Sequence, residues 1–451
     1  MKKILIICNH FAPDNAIAAV RTSKLAKYLR ESGYEIEVIA EKKEAVLEDV
    51  ILKRDTLGIK ATYAKNSAVF LKLYGWYKKI INPHKEKRFQ RLDDRQRINP
   101  QTGHVEFYTF ETAYPVIGSL DYVAEQLRQI DLFMSIKRIL KSKEGYDYLF
   151  TSYGDSLSYF AGKYFHKCHK DVRWIFDIRD AIYRYKFTPD YVKWIPKMYE
   201  RYIWKNADCI LGVSKGICKG VPRKYRYKVH CLTNGFDWKD REGLDSKRLG
   251  SPNMVFTYTG SIYGGLRDLT AFFKCIKTLV KEHSVDEKKI EFHFAGNEPA
   301  YEIFKSQAET FELGKRCVYE GKLSRSASME LQQRSDILLM ATYDYQNNEG
   351  GIITGKALEY MASKKPVIAI VTGDIVHSEL ADIIRKTNIG VAYETFHHKE
   401  DFEKLCEYIN EQYKFFFANG YVRYLPNKKE VQKYDYRNIS RRLIKIMDTI
   451  E

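Results

Sequence analysis

Three groups of residues in this 451-residue sequence have types and spacings suited to chemistry. The first, Gly260-Ser261-Ile262-Tyr263-Gly264-Gly265-Leu266-Arg267, follows a β-type run and opens a helical one. Glycines there let backbone N–H groups approach an anion, the helix start favours negative charge, and Arg267 adds a charge-assisted contact. A tight strand-to-helix turn with no ligand is the alternative reading. The second group is Lys356 and Glu359, three apart and therefore on one helix face, after the run Glu349-Gly350-Gly351-Ile352-Ile353-Thr354-Gly355. A cation for an anion and a carboxylate for hydroxyl groups would line one wall; a surface ion pair has the same spacing. The third is Asp177-Ile178-Arg179-Asp180 at a strand end, where carboxylates orient a hydroxyl or take its proton, or where Asp180 caps the next helix. Arg21, after Ala18-Ala19, reads as a contact for a ligand's polar or anionic group, or as an exposed helix charge, and His10 as a hydrogen-bonded turn histidine.

These residues need a frame, and short β-branched runs alternating with helical patterns supply one. Strands are expected at 4–8, 35–40, 148–151, 172–176 and 210–213, then at 254–259, 290–295, 337–340, 366–371 and 390–393. A helix is expected over 16–32, stopped by Gly33, and another over 434–450. Alternation of this kind implies parallel sheets covered on both sides, with ligands beyond the carboxyl ends of the strands. Turn residues near Asn234-Gly235 predict two domains, 1–235 and 236–430, followed by a helical segment 431–451 that packs back toward the first. Residues 43–140 read as a long irregular insert.

Composition narrows the classes. With 45% apolar residues the chain is not disordered. The apolar run after Met1-Lys2-Lys3 is too short for a signal-peptide core, and no run approaches the ~18 residues of a membrane span. Eight cysteines without a C-x-x-C pair predict a reducing cytosolic compartment, with neither disulfides nor structural zinc. The net charge of +17 is unevenly placed: residues 1–235 hold 43 basic and 26 acidic side chains, residues 236–451 hold 32 of each.

The opening ILIICNHFAPDNAIAAVRTSKLAKYLRESGYEIEVIAE resembles the start of the family-4 retaining glycosyltransferases. WIFDIRD (174–180), ADCILGVSKG (207–216) and TNGFD (233–237) resemble the family's domain-linking region. GNEP (296–299), YEGKLS (319–324), SDILLM (335–340) and GKALEYMASKKPVIAI (355–370) resemble its donor-binding domain. The resemblance implies an α/β, GT-B fold: two Rossmann-like, doubly wound domains facing a central cleft, with the nucleotide sugar on the second and the acceptor on the first. Two features depart from the family pattern. Ser261 stands where the family usually has an arginine, and Gly351 stands eight positions before Glu359, where the family has a first glutamate. Glu349 lies two residues earlier, and a Gly-Lys-x-x-Glu subset of the family matches Gly355, Lys356 and Glu359.

Together the two readings assign donor binding to Gly260, Ser261, Gly265, Arg267, Gly296, Asn297, Glu349, Gly351, Thr354, Gly355, Lys356 and Glu359. Acceptor binding falls to Arg21 and Asp180, and the reaction to Asp177, Asp180, Arg267 and Lys356. The resemblance further implies transfer from a nucleoside-diphosphate sugar, UDP-sugars favoured, to a lipid-linked or saccharide acceptor in surface polysaccharide synthesis. No metal or other cofactor is expected, and no Asp-x-Asp triplet is present.

Residues 61–91 carry eight Lys/Arg and one Glu among many aromatics, and residues 183–228 repeat the mixture. An anionic membrane surface suits it, as does nucleic acid or a merely solvated face. With a lipid-linked acceptor implied, the expectation is a cytoplasmic protein held peripherally at the inner face of the plasma membrane, with no nucleic acid. Among rivals, a nicotinamide dehydrogenase lacks its G-x-G-x-x-G after the first strand. A nucleotide-sugar epimerase of the same fold, or a basic nucleic-acid-binding protein, remains as the alternative.

Overall fold

The computed structural model describes residues 1–43, 48–89, 96–98, 105–107, 115–183, 188–262, 267–344 and 353–450. The chain divides into two compact units, one drawn from residues 1–233 and 440–450, the other from 234–344 and 353–439.

In the first unit the strands are β1 (Lys3–Cys8), β2 (Glu35–Glu41), β3 (Lys60–Ala64), the short pair β4 (Gln96–Ile98) and β5 (Val105–Phe107), β6 (Tyr148–Tyr153), β7 (Arg173–Ile178), β8 (Cys209–Gly212) and β9 (Val229–Cys231). Seven of them form a parallel sheet in the order β3-β2-β1-β6-β7-β8-β9, while β4 and β5 pair antiparallel. The central strand β1 is buried from Ile4 to Cys8, as expected of a strand covered on both faces. Trp174 on β7 is fully buried and packs against Gly162 of the helix Leu157–Cys168, where a Cβ would run into the indole ring.

The second unit repeats the topology with β10 (Met254–Thr259), β11 (Ile290–Ala295), β12 (Cys317–Gly321), β13 (Ile337–Asp344), β14 (Val367–Gly373) and β15 (Gly390–Glu394). Their order is β12-β11-β10-β13-β14-β15, all parallel. One face is covered by the helices Thr270–Lys281 and Glu298–Glu309, through Phe272, Phe273, Ile276 and Phe304. The other is covered by Gly355–Ser363 and Glu379–Thr387, through Leu358, Met361, Leu380 and Ile384. Ser378 caps the last of these by accepting from the Ala381 N–H at 3.1 Å, and Asn388 ends it in the left-handed conformation. In both sheets the strand order reverses beside the central strand, which places the ligand crevice at the carboxyl ends of β1 and β6 and of β10 and β13.

The insert is regular where it is described, contrary to the irregular stretch expected from its sequence. It holds β3 and the helices Val50–Asp55, Ala68–Phe89 and Pro115–Leu140. The last has apolar residues on its buried and its exposed side alike, so the amphipathic contrast that marks a helix in a sequence is missing.

Candidate functional site

In the second unit the carboxyl end of β10 turns at Gly260, whose φ of 104° is a left-handed value that glycine adopts without strain. The Gly260 N–H donates to the Ala295 carbonyl at 2.6 Å. Its missing side chain is also a packing requirement, because a Cβ there would lie 2.8 Å from Lys356 Cε and 3.0 Å from its Nζ. Gly296 makes the same allowance on the neighbouring strand, where a Cβ would fall 2.8 Å from the Gly260 carbonyl oxygen. Gly260 thus lets the turn close over the lysine head, and Gly296 lets the end of β11 approach that turn.

Lys356 stands in the first turn of Gly355–Ser363. The stem is partly exposed, but Nζ is enclosed and has no hydrogen-bond partner among the described residues. It lies 3.9 Å from the centroid of the Tyr258 ring, a cation–π contact. Burial, and then the charge of Arg267, hold this ammonium well below its ordinary range, with Glu359 opposing them. Thr354, at the N-cap position, makes no cap bond, and its buried Oγ1 is also without a described partner. A helix N-terminus, an enclosed cation and an unused hydroxyl thus fall within residues 354–356, and each suits an anion.

Glu359 is one turn further along and is fixed from behind. Its Oε1 accepts from Gln332 Nε2 at 2.6 Å. The Gln332 oxygen accepts from Arg241 Nη2, also at 2.6 Å, and the same nitrogen donates to the Glu359 backbone carbonyl at 2.9 Å. Arg241 is 8% exposed, and burial lowers its pKa to about 10. Tyr360, fully buried, places its hydroxyl 3.0 Å from Thr259 Oγ1 and so ties the helix to the end of β10. Arg241, Gln332, Thr259 and Tyr360 were not among the residues expected from the sequence. Gln332 and Glu359 are 27 positions apart and Arg241 and Glu359 are 118, so no spacing announces them.

Of the other expected donor residues, Ser261 is exposed, and its carbonyl accepts from Arg267 Nη1 at 3.0 Å and from the Tyr258 hydroxyl at 2.9 Å. The Gly296 N–H donates to Gly321 at 2.9 Å, and Asn297 is exposed at the N-cap of Glu298–Glu309. Gly355 is the first residue of the helix that carries Lys356. Gly265, Glu349 and Gly351 lie outside the described residues.

In the first unit Arg21 and Asp177 come together. Arg21 is 2% exposed and Asp177 fully buried. Two guanidinium nitrogens donate to the carboxylate, Nη2 to Oδ1 at 2.6 Å and Nε to Oδ2 at 3.0 Å, and the Ser152 hydroxyl donates to Oδ2 at 2.9 Å. Nη1 donates to the Thr233 carbonyl at 2.9 Å. Arg21 is therefore no exposed helix charge, and both Asp177 oxygens are committed to a buried pair. Asp180, three residues on, is exposed. His10 is held by Asp14 at 2.6 Å. At the carboxyl end of β6 stands a carboxyl absent from the sequence reading: Asp155, raised to about 6 by burial and then by Glu125, against the pull of Arg128.

Residues 253–407, about a third of the chain, match the family model described as Glycosyl transferases group 1. The chain is also similar to solved structures along its length. Sucrose-phosphate synthase from Thermosynechococcus elongatus aligns over 100% of this chain and 99% of that one, with 13% identity and a TM-score of 0.58. The apo form of the lipopolysaccharide outer core galactosyltransferase WaaB covers 99% of each chain at 13% identity and a TM-score of 0.56. A UDP-forming trehalose-phosphate synthase from Burkholderia xenovorans covers 100% and 99% at 9% identity, with a TM-score of 0.59. The fold is GT-B. No curated protein sequence matches the chain. In this GT-B chain the matched segment spans β10 to β15 and contains Gly260, Arg267, Lys356 and Glu359.

Proposed function

We propose that the protein is a retaining glycosyltransferase that moves a sugar from a nucleoside-diphosphate sugar, a UDP-sugar in the first instance, to a lipid-linked or saccharide acceptor in surface polysaccharide synthesis. The observation that carries the reading is that Lys356 Nζ is enclosed and the Thr354 hydroxyl unused, both in the first turn of one helix. Negative charge develops on the diphosphate as the bond to the sugar breaks, and donors already aimed at that point stabilise it without reorganisation. Lys356, Arg267 and the first N–H groups of Gly355–Ser363 take that part. Glu359, pinned by Gln332, takes the ribose hydroxyls, which a carboxylate accepts as a pair.

Retention, independence of metal and the Glu359 role are supported by the family resemblance. The choice of uridine is supported by a structural neighbour named as UDP-forming, and the choice of a glycolipid acceptor by one named as a lipopolysaccharide galactosyltransferase. With Asp177 held by Arg21, that pair acts as a positioning element behind the acceptor side. Asp180, which is exposed, and Asp155 are the carboxylates proposed to orient an acceptor hydroxyl or take its proton. A peripheral place at the cytoplasmic face of the plasma membrane follows from the acceptor.

The test is hydrolysis of, or transfer from, a panel of nucleoside-diphosphate sugars by the wild type and by Glu359→Ala. Loss of the donor KM advantage in the variant supports the assignment, and undiminished activity refutes it. Inversion of the donor sugar without release of nucleoside diphosphate identifies an epimerase instead.

A further inference from the structure

We propose that the helix Pro115–Leu140 is the keel of a face that beds into an anionic lipid bilayer. This deepens the membrane part of the reading above and rests on it only for the identity of the acceptor. From residue 116 to residue 134 every exposed residue of the helix is apolar: Val116, Leu120, Val123, Leu127, Ile130 and Met134, at steps of four and three. That spacing keeps them on a single ridge. The opposite side, with Leu132, Ile136 and Leu140, is buried in the core of the first unit. Such a ridge spans about 27 Å at ~1.5 Å per residue, longer than the scattered apolar exposure ordinary on soluble proteins.

The ridge has flanks. On one side Tyr74 donates to Glu125 at 2.7 Å and Lys78 to Asp121 at 2.7 Å, which docks the helix Ala68–Phe89 against it. On the other the Tyr199 hydroxyl donates to Gln126 at 3.0 Å, which docks the helix Trp194–Asn206. Trp76 on the first flank is 67% exposed and Trp194 on the second 63%. Rings of this kind, with an apolar body and a polar edge, settle at headgroup depth.

Charge selects the occupant. Among the residues of these three helices whose side chains are described, 68–83, 116–140 and 194–206, the exposed charged side chains are Lys72, Lys79, Arg138, Lys197, Arg201 and Lys205, and no carboxylate is exposed. A second copy of the chain, docked face to face, would bring these cations against their own kind. An anionic bilayer takes both the apolar ridge and the cations.

Flotation of the full chain with vesicles of phosphatidylcholine alone, or with phosphatidylglycerol added, tests this at matched salt. The wild type is expected to float with the anionic vesicles and to sediment from the neutral ones. Leu120→Glu with Leu127→Glu, and separately Lys72→Glu with Lys79→Glu, are each expected to lower the bound fraction about tenfold. UDP thermal shift, read on the same samples, reports that the variants fold and should not change. Flotation equal to wild type in both pairs, or no flotation of the wild type, overturns the proposal. So does light scattering that finds a dimer which Leu120→Glu with Leu127→Glu dissociates. A wild type that floats yet hydrolyses no nucleotide sugar refutes the transferase reading and leaves the lipid face standing.

Discussion

Lys356 is costly to keep where it is. An ammonium enclosed without a hydrogen-bond partner gives up hydration, and the fold tolerates this where binding of an anion recovers it. A measurable consequence is proton linkage. Burial, and then Arg267, hold the Lys356 pKa well below its usual range, and a diphosphate bound beside it would restore it. Between the two values binding takes up a proton, so nucleotide affinity falls as pH rises, by at most about tenfold per pH unit. Calorimetry in buffers of different ionisation enthalpy should find this uptake in the wild type and none in Lys356→Met. Gln332 permits a second prediction. Removing a hydrogen bond to a charged group costs ~1.5–3 kcal/mol, so Gln332→Leu should raise the donor KM roughly 10–100-fold with a smaller change in kcat. Lys356 and Glu359 were legible because three residues on a helix make neighbours. Gln332 and Arg241 were not, because their meeting depends on how three distant segments pack.

At the scale of elements, parallel strands declare themselves. β10 and β11 run over the residues expected, since a strand buried on both faces reads as an unbroken apolar run bounded by turns. The helix Pro115–Leu140 did not declare itself, because a ridge that faces outward with the composition of a core erases the periodic signal. Edge strands such as β12 were also silent: Val318 and Tyr319 are exposed, and little of the strand is apolar and buried. The β11–β12 pairing has a pH signature. Burial opposes the charge on His293, but its hydrogen bonds to Glu320 and Glu291 prevail and raise its pKa above the ordinary 6.5. The stabilisation is therefore complete below pH 6.5 and fades as pH rises through the raised value. Urea titrations from pH 5 to 9 should show this decline, and His293→Gln should flatten it. Gly162→Ala, which forces a methyl group into the Trp174 ring, should destabilise the first unit by ~1–3 kcal/mol in the same assay.

At the scale of the whole molecule, the charge of +17 resides in residues 1–235, while residues 236–451, which hold the proposed nucleotide site, sum to zero. A few placed cations suffice for a nucleotide; a surplus over a broad face suits a surface. Raising sodium chloride from about 0.1 M to 1 M shortens the Debye length from ~10 to ~3 Å and should release the protein from anionic vesicles while leaving UDP bound. The anion site around Lys356 underlies the whole proposed reaction. Titration of UDP into the wild type, Lys356→Met and Glu359→Gln by calorimetry tests it most directly. One site per chain is expected in the wild type, with at least about tenfold weaker binding in each variant and competition by the donor sugar nucleotide. Equal affinity in all three proteins would contradict it.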